Sequence, residues 1–274
     1  MSKISKAFKA LSLILRQPAL LNRVLQDPDY WEGYVRNRYD LKEGLPLVDP
    51  TEIFGKEYNG KLSLFTFLDG GSLVTDILLL KALAGTFEKC IYFEIGTWRG
   101  ESAVNLADVA EEVFTLNISD EEMRAKNVKE GYISQQAYFS KNNKKIVHLR
   151  DNSANFDFSS PGKKFDLVFI DGSHHYEDVQ RDTRNVFRSL LHENSVVVWH
   201  DYGITPEDVR YEVLAGILDG LKKEHHKYLY HVAHTQSAIF IRREMKTGTL
   251  IKPVIPDHFY SLDIKYNATK ERNI

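Results

Sequence analysis

The chain has 274 residues, 43% hydrophobic and 27% charged, with three Trp, 14 Tyr and 15 Phe, the composition of an ordinary globular protein and not of a disordered or collagen-like one. Thirty-six Lys+Arg against 38 Asp+Glu leave a formal net charge of -2, so no general basic field exists to neutralise phosphates, and nucleic acid is excluded as an expected partner. A lone cysteine, Cys90, supports neither an internal disulfide nor a cysteine-rich zinc site, which fits a reducing cytoplasm.

Along the chain, residues 1–60 carry two helical patterns, Ile4 to Leu25 with a break at Pro18 and Pro28 to Tyr39, then Gly44, Pro46 and Pro50 as loop punctuation. The spacing predicts an N-terminal helical extension that either packs on the body or walls the substrate site. Its most apolar run, Leu11 to Leu15, is cut by Arg16, Gln17 and Pro18. No later run reaches the length of a membrane span, so neither signal peptide nor anchor is expected. Leu73 to Leu83 reads as an apolar helix ending near Gly85.

From Cys90 onward short apolar runs alternate with amphipathic helices, the pattern of strand-helix units around a parallel sheet. The strands are expected at Ile91–Ile95, Val113–Leu116, Ile146–Leu149, Leu167–Ile170 and Val196–Trp199. Helical spacing relates Val179, Val186, Phe187, Leu190 and Leu191, and further on Val209, Val213, Leu214, Ile217 and Leu221. Tyr228–Ala233 and Ala238–Arg242 are separated only by His234 to Ser237, too few residues for a helical crossover, so they must form an antiparallel hairpin. The expected fold is therefore α/β, a Rossmann-like doubly wound sheet of seven strands, mostly parallel and closed by that hairpin. It spans residues 61–243 and is followed by a polar tail over 244–274. His231 and His234 would point to opposite faces of a strand, and His225 and His226, among Lys222, Lys223 and Lys227, read as a solvated helix end.

The segment Glu94-Ile95-Gly96-Thr97-Trp98-Arg99-Gly100-Glu101-Ser102 joins the first core strand to a helix, where free N–H groups face a ligand. A dinucleotide fingerprint would need glycine at 98 and 101. Trp98 blocks the close approach of a pyrophosphate and Glu101 adds like charge, so NAD and FAD are disfavoured. An acid followed by Gly-x-x-x-Gly suits a cofactor bearing an amino acid, with Glu94 facing its ammonium and the turn its carboxylate. Here the sequence, from about Gly71 to Arg242, resembles the class I S-adenosylmethionine-dependent methyltransferases.

That resemblance implies further stations. Asn117, 21 positions after Gly96, stands where the family has an acid toward the ribose, and Asp151-Asn152-Ser153 stands at its adenine turn. Both amides depart from the family pattern and keep a non-catalytic relative of the same fold as the alternative. The implied cofactor contacts are Glu94, Gly96, Thr97, Trp98, Gly100, Ser102, Asn117, Asp151, Asn152, Ser153 and Asp171. The blocks Asp171-Gly172-Ser173-His174-His175-Tyr176 and Trp199-His200-Asp201-Tyr202 each put an aspartate just past a buried strand, at the edge where open α/β sheets bind ligands. They resemble a branch found in bacterial glycan and natural-product pathways. The resemblance assigns His174, Asp171 and Asp201 to catalysis and Asp171 and Asp201 to a magnesium ion. It implies O-methylation of a small hydroxylated acceptor such as a sugar or glycoside, and leaves self-association open.

Overall fold

The computed structural model describes residues 2–20 and 28–268. Residues 21–25 of the first predicted helix and the last residues of the tail lie outside them. Helix α1 is Lys3–Arg16, ending before a short 3-10 turn at Pro18–Leu20, and α2 is Pro28–Tyr39. Strand β1 (Leu47–Val48) and α3 (Thr51–Phe54) lead to α4 (Val74–Ala84). The core follows as β2 (Ile91–Ile95), α5 (Glu101–Ala107), β3 (Glu112–Asn117), α6 (Asp120–Ala125), α7 (Glu130–Ile133) and β4 (Ile146–Arg150). Then come β5 (Phe165–Ile170), α8 (Tyr176–Ser189), β6 (Leu191–Trp199), a small hairpin of β7 (Gly203–Thr205) and β8 (Asp208–Val209), and α9 (Tyr211–Gly220). Strands β9 (Leu229–Val232), β10 (Ala238–Phe240) and β11 (Thr247–Gly248) finish the chain.

The main sheet has the order β11-β1-β9-β10-β6-β5-β2-β3-β4. Strands β2 to β6 run parallel, and β10 is antiparallel to both β6 and β9. The seven expected strands occupy seven neighbouring places, but the sheet has nine. Leu47–Val48 and Thr247–Gly248 add two more at the β9 edge. Two-residue strands show no period-2 pattern, so nothing local announces them. The 3-10 turn at Lys223–Tyr228 is also only half solvated: His225 packs at ring distance from Phe187 and Phe240, and His226 contacts the Leu218 carbonyl. His234 lies outside β9, in a turn.

Parallel strands covered on both faces read as unbroken apolar runs, and Val196-Val197-Val198-Trp199 is one. Phe93, Ile95, Phe165, Val168, Ile170 and Trp199 pack on one face with Val179, Val186, Leu214 and Ile217 of α8 and α9. Tyr92, Leu167, Phe169 and Val198 pack on the other with Leu79, Leu83 and Leu106 of α4 and α5. This double cover fixes the strand ends, and hence the loops that carry the site.

Helix α2 docks on this body through Asp219 near the end of α9. Tyr34 and Tyr176 donate to its Oδ2 (2.5 and 2.8 Å), Tyr39 donates to Oδ1, and Arg38 lies 3.5 Å away. Trp31 stacks on Tyr176 with centroids 4.6 Å apart. Burial alone would raise the Asp219 carboxyl, but the three hydroxyls and Arg38 outweigh it and hold it below the usual value. Asp219→Ala orphans three tyrosine hydroxyls and is expected to cost about 2–4 kcal/mol, a Tm loss of roughly 5–15 °C in thermal unfolding. A depressed carboxyl contributes stability above its unfolded pKa of about 4 and loses it as pH falls through the lower folded value. The difference between wild type and variant should therefore narrow in strong acid.

Candidate active site

Strand order reverses between β2 and β5, with β3 and β4 to one side and β6 and the hairpin to the other. At such a switch point the loops diverge and leave a crevice past the strand ends. Gly96 follows β2 with φ 95°, and a Cβ there would sit 2.1 Å from the Asp171 carbonyl oxygen. Only glycine lets the loop after β2 lie against the loop after β5.

The crevice holds a hollow of about 360 Å³ lined by Gly96, Asn117, Asp151, Asn152 and Ser153, together with Gly172, Ser173, Lys126, Asp178, Arg181 and Asp182. Five predicted cofactor residues from three separate loops thus meet. Asn117 accepts from the Thr97 N–H (3.4 Å) and donates to Gln136 (3.0 Å), while Asn152 donates to Glu122 (2.5 Å) and accepts from the Ala154 N–H (3.0 Å). Lys126 and Arg181 are each paired with carboxylates: Lys126 with Glu122 at 3.5 Å, Arg181 with Asp178 at 2.7 Å. Asp182, which accepts from Ser153 (3.1 Å), is pushed up to about 6 by burial. The i, i+4 spacing of Asp178 and Asp182 on α8 marks them as sharing one helix face, but nothing in the sequence says that this face lines a ligand site.

Glu94, Thr97, Trp98, Gly100 and Ser102 do not line that hollow. Glu94 is wholly buried. Its Oε2 accepts from the Tyr92 hydroxyl (2.9 Å) and from Ser102 (2.8 Å), while Oε1 has no partner among the described residues. Burial raises its pKa to about 8 against the pull of those two hydroxyls, so at neutral pH the acid is mainly protonated. Thr97 Oγ1 is likewise buried without a partner among the described residues. Trp98, at φ 42°, rests on Tyr132 with centroids 4.0 Å apart. Glu101 is compensated, not free: Arg99 lies 3.2 Å from it and also donates to the carbonyls of Leu68 and Asp69, while Glu101 accepts from the Thr66 N–H. This pair fastens the strap before α4 over the glycine loop.

The second half of the site is built around a residue that sequence reading passed over. His200, between Trp199 and Asp201, places Nδ1 3.0 Å from Asp171 and 3.7 Å from Asp201, and Nε2 3.3 Å from Asp76. Asp76, buried at the start of α4, also accepts from the N–H groups of Leu73 and Gln236 and from the Ser237 hydroxyl, each at 2.9 Å. Burial opposes a charge on His200, but the three carboxylates override it and hold the imidazole well above its ordinary pKa. Burial likewise pushes Asp171 up, with His200 partly countering. For Asp201 the same burial is outweighed by His200 and by Arg210 at 3.5 Å, which bring it below the usual value. A polar residue closing a buried strand was the available hint; the tie to Asp76, 124 positions earlier, had none.

His174 stands half-buried near this rim, its ring 4.9 Å from that of His175, with no hydrogen bond to a described residue. Burial and Arg210 lower its pKa against the opposing pull of Asp201, which keeps it a neutral imidazole near pH 7.

Asp171, His200 and Asp201 offer ligand atoms within 4.8 Å of one another, yet the arrangement does not fit the expected magnesium ion. Magnesium takes an octahedron of oxygens, whereas here a ring nitrogen stands between the two carboxylates. Its other nitrogen faces Asp76, so both carry protons and neither has a lone pair to offer.

Residues 93–202 match the family model described as a methyltransferase domain. This stretch is a methyltransferase domain. It begins within β2, ends just past Asp201, and contains every residue that the sequence assigns to the site, though not Asp76 or Arg210. Solved structures similar in shape include an O-methyltransferase from Bacillus cereus in complex with SAH, with 14% identity, TM-score 0.46, 64% of this chain and 84% of that one covered. The cofactor-bound protein Rv0187 from MTB shares 19% identity at TM-score 0.42 over 65% and 84%. CalS11, a TDP-rhamnose 3'-O-methyltransferase of calicheamicin biosynthesis, shares 12% at TM-score 0.44 over 62% and 80%. No curated protein matches the chain significantly.

Proposed function

We propose that the methyltransferase domain binds S-adenosylmethionine in the hollow beside Gly96 and transfers its methyl group to a hydroxyl of a small acceptor, a sugar or glycoside being the class expected, in the cytoplasm. The observation that carries this reading is the hollow at the switch point of a matched methyltransferase domain. The two cations lining it are already paired with carboxylates, which suits a nucleoside with an amino acid better than a pyrophosphate. In this reading Asn117 faces the ribose and Asp151 to Ser153 face the base.

When bound, the sulfonium supplies a methyl carbon with an activated leaving group. The chain must orient the acceptor and take its proton. The proton of the acceptor hydroxyl would pass to neutral His174. A positioned base contributes about 10²- to 10⁴-fold. The imidazolium of His200 fixes Asp171 and Asp201 as one rigid rim.

His174→Ala is expected to lower kcat by about 10²-fold or more while leaving cofactor affinity within a few-fold. The acid limb of the wild-type kcat–pH profile should fall below pH 6.5, because the depressed His174 stays neutral until then, and the variant should lose that limb. Calorimetry with S-adenosylmethionine and with NAD tests the reading itself. Absence of sulfonium binding, or tighter NAD binding, would overturn it. Binding without transfer to any acceptor in a broad panel would favour a non-catalytic protein of this fold.

A further inference from the structure

The feature left unused by the site is α1, a capped helix with a wide exposed face. Ser2 accepts from the Ser5 N–H at 3.2 Å and starts it, Arg16 stands in its last turn, and none of its residues is buried. Ile4, Phe8, Leu11 and Leu15 fall at i, i+4, i+7 and i+11, which is a single stripe at 3.6 residues per turn. They are 71%, 70%, 55% and 75% exposed. Lys3, Lys6, Lys9 and Arg16 lie off that stripe, and the first acidic residue of the sequence is Asp27. Leaving an apolar stripe of this kind in water is unfavourable in proportion to its exposed area, so something is expected to cover it.

We propose that α1 lies flat in the surface of a membrane rich in anionic lipid and holds the methyltransferase domain there. The helix is 14 residues long, about 21 Å at 1.5 Å per residue, too short to cross a hydrocarbon core of about 30 Å. No helix among the described residues is long and apolar enough to span one. An interfacial helix has a different requirement: an apolar face for the acyl boundary and cations for the headgroups. Charge decides between lipid and a second copy of the chain. Two α1 helices meeting stripe to stripe would bring eight cations together with no acidic residue on either helix to offset them, whereas an anionic leaflet supplies the missing negative charge along with an apolar layer. Helix α2, tied to the body through Asp219, follows within the chain and keeps the domain close to whatever α1 binds. This inference does not depend on the methyl-transfer reading.

Co-sedimentation of the full chain with vesicles tests it. Phosphatidylcholine vesicles containing about 30% phosphatidylglycerol should bind the protein at least roughly tenfold better than phosphatidylcholine alone, and about 0.5 M salt should weaken that binding. Phe8→Glu with Leu11→Glu should lower partitioning more than roughly tenfold, and Lys3→Glu, Lys6→Glu and Lys9→Glu together should do the same. Because none of the substituted residues is buried, Tm and cofactor binding should not change in either variant. Failure to bind either vesicle, or binding indifferent to Phe8→Glu with Leu11→Glu, would overturn the proposal. So would a dimer in sedimentation velocity that this same variant dissociates, since it would assign the stripe to a second copy.

Discussion

His200→Ala is expected to lower kcat by about 10²-fold or more and to destabilise the fold by about 3–5 kcal/mol. The stability loss arises at Asp76, which is fully buried and balances its charge against the His200 imidazolium at 3.3 Å; removing one partner of such a pair strands the other in low dielectric. The rate loss arises at the opposite nitrogen, where Asp171 and Asp201 would be left to repel each other across the rim instead of being held together. His200 acts through these aspartates and is a positioning residue, so kcat should fall more than acceptor KM rises. Rates measured well below each variant's Tm separate the two losses, and His200→Gln should restore part of the stability by offering Asp76 a neutral donor. Because an imidazolium fills the place of a divalent cation, wild-type turnover should be unchanged by EDTA, whereas the alanine variant should respond to added magnesium. Loss of wild-type activity on chelation would refute this account of the rim.

Gly96→Ala should abolish cofactor binding within the range of calorimetry, at least a 100-fold loss, and lower stability by about 2–5 kcal/mol. A methyl group at 96 would meet the Asp171 carbonyl oxygen at 2.1 Å and its carbon at 2.6 Å, and the backbone stands at φ 95°, where alanine is strained. The obstructing atoms are backbone, so no rotamer change relieves the clash; the loops after β2 and β5 must part, and the wall of the hollow moves with them. Gly131→Ala in α7 is the control. Nothing lies within 4 Å of the added methyl there, and alanine is the better helix former, so Tm should hold or rise slightly. Equal effects of the two substitutions would show that the glycine loop does not depend on this close approach.

Much of this protein was legible in its residue order. The apolar runs from Ile91 to Phe240 marked seven strands: those inside the sheet, such as β2, β5 and β6, because burial on both faces leaves long apolar runs, and the edge strand β4 through its shorter run Ile146 to Leu149. The four-residue gap at 234–237 forced an antiparallel hairpin because no helical crossover fits in it. The glycine at 96 and the aspartates at 171 and 201 followed from their places at strand ends, where an open parallel sheet exposes its loops. These are local features, and local chain geometry determines them. Other features depend on which distant segments meet. Leu47–Val48 became a strand only because the β9 edge offered it a partner, and Thr247–Gly248 only because Leu47–Val48 then did. Glu94, read as facing a ligand, is enclosed with Tyr92 and Ser102, since its direction is set by the packing of α5 on β2. His200 gained its charge from Asp76, and α2 its anchorage from Asp219. A side chain's protonation and its exposure are set by neighbours far away in sequence, and desolvation acts on the group only once the fold has closed around it. Sequence therefore determined where the loops of the site would be, and tertiary structure decided which of their side chains line the hollow and with what charge.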